Sequence, residues 1–140
     1  MICVDASIVV KAITDEEGCG EALALFKKWR KTGTDLVAPA LIDYEVSSVL
    51  CHKAFVGDIK ENEVIQAYRL FLELGVKTIH DPALLEKALL TARSFSQRTS
   101  YDFAYLTCAQ SLDAELVTAD FKFVEMVREG YSFVKFYKGY

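Results

Sequence analysis

Hydrophobic positions follow two patterns along this chain, and the two alternate. Short apolar runs are typical of buried strands, and they occupy residues 2–4, 36–38, 76–79, 115–118 and 132–136. The stretches between them repeat their apolar residues with helical spacing. Helices are predicted from near residue 7, and over 21–31, 40–55, 62–74, 82–95, 102–112 and 121–128.

Short apolar strands separated by helices favour βαβ units, in which a parallel sheet is covered by helices on both faces. The pattern therefore predicts the α/β class, as a three-layer α/β/α arrangement around a central parallel sheet of about five short strands. The chain has 140 residues and contains no linker, repeat or low-complexity stretch. We expect residues 1–140 to form a single domain.

Acidic residues follow the predicted strands in a regular way. Asp5 comes directly after the first strand, and Asp120 comes after the fourth. Asp43 and Glu45 lie in the first turns of the helix after the second strand, and Asp102 stands where another helix begins. Ligands of open parallel sheets bind at the carboxyl ends of the strands, near a topological switch point. We therefore expect these carboxylates to face one crevice.

A crevice that gathers carboxylates repels itself unless a cation lies among them. Hard oxygen ligands of this kind suit Mg²⁺ or Mn²⁺. One or two such ions can activate a water molecule and stabilise charge on a phosphoryl oxygen. The sequence therefore predicts a divalent-metal site that is suited to phosphoryl chemistry.

Each acidic residue also has an ordinary structural interpretation. Asp5, Asp102 and Asp120 stand at predicted helix starts, where each of them can be an N-cap residue. Glu45 taken alone is typical of a solvated or ion-paired side chain. Helix capping by three residues does not explain Glu45, nor why the residues at the strand ends all carry negative charge. The metal-site interpretation and the capping interpretation both stay open at this point.

Four motifs together resemble the PIN-domain family, and in order, spacing and length its VapC-type toxin branch. They are "VDASIVVKAI", "LIDYEVSSVL", "SYDFAYLTCAQ" and "ELVTADFKF", and they cover nearly the whole chain. The family's acidic metal-binding and catalytic positions are matched by Asp5, Glu45, Asp102 and Asp120. Its accompanying hydroxyl positions are matched by Ser7 and Thr118, which we expect to orient carboxylates by hydrogen bonds.

The resemblance implies a function as well as a fold. It implies a ribonuclease that depends on Mg²⁺ or Mn²⁺, pairs with an antitoxin protein and is often dimeric. Our favoured hypothesis is an endoribonuclease toxin that cleaves RNA phosphodiesters with a metal-activated water. One alternative is a PIN-like module that binds RNA or protein without catalysis.

Two phosphotransfer folds are further alternatives. A haloacid-dehalogenase-like enzyme expects a second aspartate two residues after the first, where this chain has Ser7. A receiver domain expects a phosphoacceptor aspartate after a central strand, and the candidate there, Asp81, precedes Pro82 as an N-cap.

Composition and charge limit the partners and the cellular location that we expect for the protein. The formal net charge of −4 argues against a simple basic coat for nucleic acid. No apolar run approaches the ~18 residues of a membrane span, and no signal-peptide pattern precedes the first strand. The four cysteines form no Cys-x-x-Cys pair. We therefore expect a cytoplasmic protein with free thiols and no membrane association.

Surface features are harder to assign from the sequence. The basic run at residues 27–31 and Lys11 are better explained as solvated side chains than as RNA contacts. Two predicted helices carry large apolar residues that have two possible roles: Phe26, Trp29, Tyr68 and Phe71. They could remain exposed and bind a second copy of the chain and an antitoxin, or they could all lie in the core. Trp29, Phe71 and Tyr105 fit helical core stripes, so we expect no base-stacking platform among them.

Overall fold

Five parallel strands form one sheet in the computed structural model, which describes residues 1–139. The strands are β1 (Ile2–Val4), β2 (Leu36–Pro39), β3 (Lys77–Ile79), β4 (Glu115–Thr118) and β5 (Val134–Phe136). Their order across the sheet is β3-β2-β1-β4-β5, and all four neighbouring pairs are parallel. The chain therefore reverses its direction of winding at β1, and the switch point lies between β1 and β4.

Seven helices connect and cover these strands within the described residues. They are α1 (Ala6–Ile13), α2 (Cys19–Lys31), α3 (Leu41–Phe55), α4 (Glu61–Glu73), α5 (Pro82–Ser94), α6 (Tyr101–Ser111) and α7 (Phe121–Val127), and a short 3₁₀ turn follows at Tyr137–Gly139. Every strand and helix boundary predicted from the sequence lies within two residues of the observed one. The predicted three-layer α/β/α class is confirmed.

Two helices at the centre of the fold, α1 and α6, are buried over most of their length. α1 packs against α2, α3 and α4, whereas α6 pairs with α5 and lies across β2, β1 and β4. Six of the eight residues of α1 are buried, and so are the seven consecutive residues from Phe103 to Ala109 in α6. Because burial surrounds both helices, their first turns are fixed firmly at the edge of the sheet.

Some sequence expectations about the core are wrong. The helical spacing of Val46, Val49 and Leu50 predicts Val49 in the core of α3, but its side chain is exposed. Phe26, Trp29 and Phe71 were candidates for a partner surface, and they are instead buried in the core, which was the alternative interpretation. These three rings pack inside the domain, because a small domain must bury most of its aromatic surface.

Among residues 1–139, no helix combines the length and the apolar character that crossing a bilayer requires.

Gly18 connects the acidic turn after α1 to the start of α2. Its φ of +87° lies in the left-handed region, and a Cβ built there would be 2.6 Å from the Oη atom of Tyr137. Gly57 has nearly the same φ, +84°, but nothing lies within 4 Å of its Cβ position. A comparison of the same substitution at the two glycines therefore separates the cost of backbone strain from the cost of steric overlap.

Alanine should cost more stability at Gly18 than at Gly57. Both substitutions carry the left-handed strain of ~1–2 kcal/mol, and only Gly18→Ala also forces the buried Tyr137 ring to shift. Adding Tyr137→Phe removes the overlapping oxygen and should restore part of the loss in Gly18→Ala. Urea unfolding of the four proteins measures the differences, and equal losses at the two glycines would contradict the steric account.

Candidate active site

A crevice of about 840 Å³ opens at the carboxyl ends of the central strands. All four carboxylates singled out in the sequence line it: Asp5, Glu45, Asp102 and Asp120. Asp43, which was expected to face the same crevice, does not line it. It precedes Glu45 by two residues on α3, a spacing that turns its side chain to the other side of the helix.

Asp5 is held by two hydroxyl groups. The Oγ atom of Ser7 donates to its Oδ2 atom at 2.6 Å, and the Oγ1 atom of Thr118 donates to the same oxygen at 2.5 Å. Each hydroxyl also accepts a backbone N–H, Ser7 from Ala119 and Thr118 from Asp120, both at 3.0 Å. Because a hydroxyl has only one proton, these bonds commit both protons to Asp5. The Oδ2 atom is thus fixed and satisfied by the protein.

Only one of the three cap interpretations is correct. Asp120 is the N-cap of α7, and its Oδ1 atom accepts the N–H of Phe123 at 3.0 Å. Asp5 occupies the N-cap position of α1, but its side chain makes no capping hydrogen bond there. Asp102 lies inside the first turn of α6, two residues beyond the N-cap residue Ser100. Helix capping therefore does not explain why Asp5 and Asp102 are acidic.

Glu45 is positioned by a tyrosine from the opposite side of the sheet. The hydroxyl of Tyr105, on α6, donates to the Oε2 atom of Glu45, on α3, at 2.5 Å. Burial, the charges of Asp5 and Glu45, and the bond itself all raise the pKa of this phenol, so it stays a donor. The hydrogen bond joins the two helical layers directly at the crevice.

Burial and neighbouring charge raise the pKa values of Asp5, Glu45 and Asp102. For Asp5 and Glu45, burial raises the pKa most, and the hydroxyl bonds from Ser7, Thr118 and Tyr105 work in the opposite direction. Burial, followed by the charges of Asp5 and Asp120, raises the pKa of Asp102 to about 6. The negative charges of the group are therefore within electrostatic reach of each other.

Three lysines line the crevice without joining this acidic group. Lys53 forms an ion pair with Glu16 at 2.6 Å, and Lys11 lies 3.7 Å from the same carboxylate and donates to the Glu17 carbonyl at 3.1 Å. Lys122 is exposed at the rim. Within residues 1–139, no ion pair includes any of the four crevice carboxylates. Their charge is left uncompensated.

Sequence reasoning missed Tyr105, Lys53 and Glu16 as parts of the crevice. Tyr105 was assigned only to the core, and it is core, but its position three residues after Asp102 on α6 puts it on the same helix face. Lys53 follows Glu45 by eight residues, which again returns to the same face of α3. No sequence signal identified Glu16, because the turn after α1 has no periodic pattern.

The donor set fits a hard divalent cation in its chemistry. It consists of carboxylate oxygens, the ligands that Mg²⁺ and Mn²⁺ prefer, and its mutual repulsion is what a cation would relieve. As they stand, however, no three Asp, Glu, His or Cys side chains in the described part of the chain are grouped tightly enough to hold one ion. Mg²⁺ usually keeps several waters and takes one or two carboxylates directly, so this looser spacing remains compatible with it.

A family model for the PIN domain matches residues 2–129. The chain belongs to the PIN domain family. The match spans the whole crevice, from Asp5 to Phe121 and Lys122, and it confirms the family resemblance seen in the four motifs. PIN domains are generally nucleases, which agrees with an acidic crevice at the switch point of a parallel sheet. Among curated protein sequences, none matches this PIN domain.

Two solved structures share the fold. PAE2754 from Pyrobaculum aerophilum aligns with a TM-score of 0.74 and 23% sequence identity, over 99% of this chain and 91% of that chain. VapC20 of Mycobacterium tuberculosis, a toxin that cleaves the sarcin–ricin loop, aligns with a TM-score of 0.66 and 15% identity, over 94% of this chain and 96% of that chain. At these identities the likeness establishes the fold.

The raised pKa of Asp102 makes the stability of the metal-free PIN domain depend on pH. The pKa is about 6 when folded and about 3.9 in an unfolded chain, so the folded state binds this proton more tightly. Stability from this group is therefore present at low pH and is lost as the pH rises from about 4 to about 6. Asp102→Asn removes the titration, so its melting temperature should rise relative to wild type across that window.

Differential scanning calorimetry in a chelating buffer measures this difference at several pH values. Asp43→Asn is the matched control, because it removes an aspartate from the first turn of α3 outside the crevice, and its offset from wild type should not follow the same window. An Asp102→Asn offset that is constant, or that falls with pH, would contradict the raised pKa of Asp102.

Proposed function

We propose that this PIN domain is a single nuclease domain that hydrolyses RNA phosphodiester bonds with the help of Mg²⁺ or Mn²⁺. The observation that supports the proposal most is the acidic crevice itself. Four carboxylates from separate parts of the chain meet there, and no lysine or arginine among residues 1–139 neutralises them. Maintaining such repulsion costs stability, which argues for a ligand of opposite charge.

In this proposal the chain's own groups hold the carboxylates ready to bind the cation. Ser7 and Thr118 occupy one oxygen of Asp5, and the N–H of Phe123 occupies one oxygen of Asp120. Tyr105 fixes Glu45 in the same way. Each tethered carboxylate thus keeps lone pairs for the crevice while its orientation is set by the protein.

Asp102 completes the set with the fewest restraints. Its side chain has no hydrogen-bond partner among the described residues, so it can adjust toward a ligand. When bound, the divalent ion supplies a Lewis acid that activates water and neutralises charge on the phosphate. Lys11, Lys53 and Lys122 lie along the wall of the crevice, where they can attract the RNA backbone toward it.

We further propose that the protein acts in the cytoplasm as the toxin of a toxin–antitoxin pair and forms a homodimer. Family membership and the shared fold with VapC20 support the toxin role. For contacts with a second copy or an antitoxin, the chain offers exposed apolar side chains on α4 and α5, including Ile65, Leu72, Leu89 and Leu90. A strict monomer at micromolar concentration in sedimentation would contradict the dimer.

The purified protein should cleave single-stranded or looped RNA when Mn²⁺ or Mg²⁺ is present, and chelation should stop the reaction. We expect the cleavage rate to fall by roughly a hundredfold when Asp5, Asp102 or Asp120 is replaced by Asn, or Glu45 by Gln. Even the loss of a residue that only hydrogen-bonds to a metal ligand can cost this much activity. Asn also preserves the cap at Asp120, so loss of activity there cannot be attributed to unfolding of α7. Gel-resolved cleavage of labelled RNA measures the rates.

Asp43→Asn serves as the control and should cleave at the wild-type rate. Cleavage that continues in excess EDTA would contradict the metal mechanism. Mn²⁺ binding without cleavage of any RNA would instead favour the non-catalytic binding module.

A further inference from the structure

Exposed aromatic rings cluster beside the crevice carboxylates. Among residues 1–139, four aromatic side chains have more than a third of their surface exposed: Tyr44, Phe55, Tyr101 and Phe121. Three of the four are sequence neighbours of a crevice carboxylate. Tyr44 precedes Glu45, Tyr101 precedes Asp102, and Phe121 follows Asp120. Large exposed rings are costly in water, so this placement calls for a ligand that covers them.

Tyr44 and Tyr101 both line a second hollow, which we call the tyrosine cleft. Its volume is about 530 Å³, and Ile79, Leu85 and Ala104 line it with the two rings. Tyr44 is 75% exposed and Tyr101 is 55% exposed. Within the described residues, neither ring packs against another aromatic ring and neither hydroxyl group forms a hydrogen bond.

The tyrosine cleft and the acidic crevice share their walls. Consecutive residues of an α-helix point about 100° apart, so the first turns of α3 and α6 present a carboxylate to one hollow and a tyrosine to the other. Glu45 and Asp102 line the crevice, whereas Tyr44 and Tyr101 line the cleft. A chain whose phosphate lies among the carboxylates can therefore place a neighbouring base in the cleft.

Phe121 lies on the other side of the acidic group. It lines the crevice itself, and its ring is braced by Phe136 in an edge-on contact with centroids 5.4 Å apart. Lys122 follows it at the rim. Apolar ring surface is thus available on two sides of the carboxylates, with a cation beside one of them.

We propose that Tyr44, Tyr101 and Phe121 stack the unpaired bases that flank the scissile phosphate, with one base in the tyrosine cleft and another against Phe121. This inference rests on the proposed ribonuclease function and adds the residues that contact the bases of the RNA. Flat rings with exposed faces are the surfaces on which single-stranded bases stack, and duplex bases cannot reach them. A protein partner also favours exposed tyrosines, but it would not require each ring to adjoin a carboxylate.

The test combines the removal of each aromatic ring with the removal of each base that flanks the cleaved phosphate. Mn²⁺-loaded wild-type protein first maps a cleavage position in a single-stranded RNA, and abasic nucleotides then replace the base on either side of it. In single-turnover cleavage, an abasic site should raise the RNA concentration needed for half-maximal rate by roughly tenfold, within the range for loss of one stacked base. Tyr44→Ala, Tyr101→Ala and Phe121→Ala should each produce a similar rise with intact RNA and should be insensitive to one of the abasic sites.

Phe55→Ala is the matched control, because it removes a ring at the far end of α3 that is even more exposed than Tyr44. It should retain the full abasic penalty. Tyr44→Phe and Tyr101→Phe keep the ring and should cleave as wild type does. Stacking would be contradicted if removing a ring and removing a base weakened RNA binding independently, so that the combined free-energy loss equalled the sum of the two. It would also be contradicted if the alanine variants bound RNA as tightly as the wild type. Alanine variants that turn a dimer into a monomer in sedimentation, with RNA affinity unchanged, would assign the rings to self-association and overturn the proposal. If the wild-type protein cuts no RNA at all, the proposed function itself fails and this inference fails with it.

Discussion

Mutual repulsion of carboxylates at one edge of the sheet is the constraint on which the site depends. The topology makes it unavoidable, because parallel strands all end at the same edge and the winding reverses at β1. Asp5 and Asp120 follow the two strands at the switch point, and the first turns of α3 and α6 add Glu45 and Asp102. The lysines nearest to them are directed to Glu16 instead. Lysines thus line the same crevice, but none of them forms an ion pair with the four carboxylates in the described part of the chain.

The fold compensates for part of this repulsion without removing it. Three of the carboxylates lie at the N-termini of α1, α6 and α7, where the helix dipole favours negative charge. Short hydroxyl bonds stabilise the ionised forms of Asp5 and Glu45. Each of these bonds occupies one carboxylate oxygen and leaves the crevice side open. This arrangement is consistent with the proposed cation site, whereas a structural salt bridge would place a lysine or arginine against the carboxylates.

Periodicity was enough to predict the fold because the strands are short, apolar and separated by well-marked helices. The acidic set was also accessible from sequence, since strand ends in a parallel sheet converge. What sequence could not supply was the direction of side chains across the layers. Tyr105 looked like one more core residue, and its bond to Glu45 depends on how α3 and α6 approach each other. Phe26 and Phe71 looked equally suited to core or interface, and only the packing of α2 and α4 decided between them.

The central claim is that the four carboxylates bind a divalent cation, and a crystal soaked in Mn²⁺ tests it most directly. Anomalous difference density collected at the manganese edge locates the ion independently of any activity. Our account expects a peak in the crevice, with Asp5 and at least one of Glu45, Asp102 and Asp120 among its direct or water-mediated ligands. A crevice without an anomalous peak at a Mn²⁺ concentration that supports cleavage, or a peak only elsewhere on the protein, would contradict it.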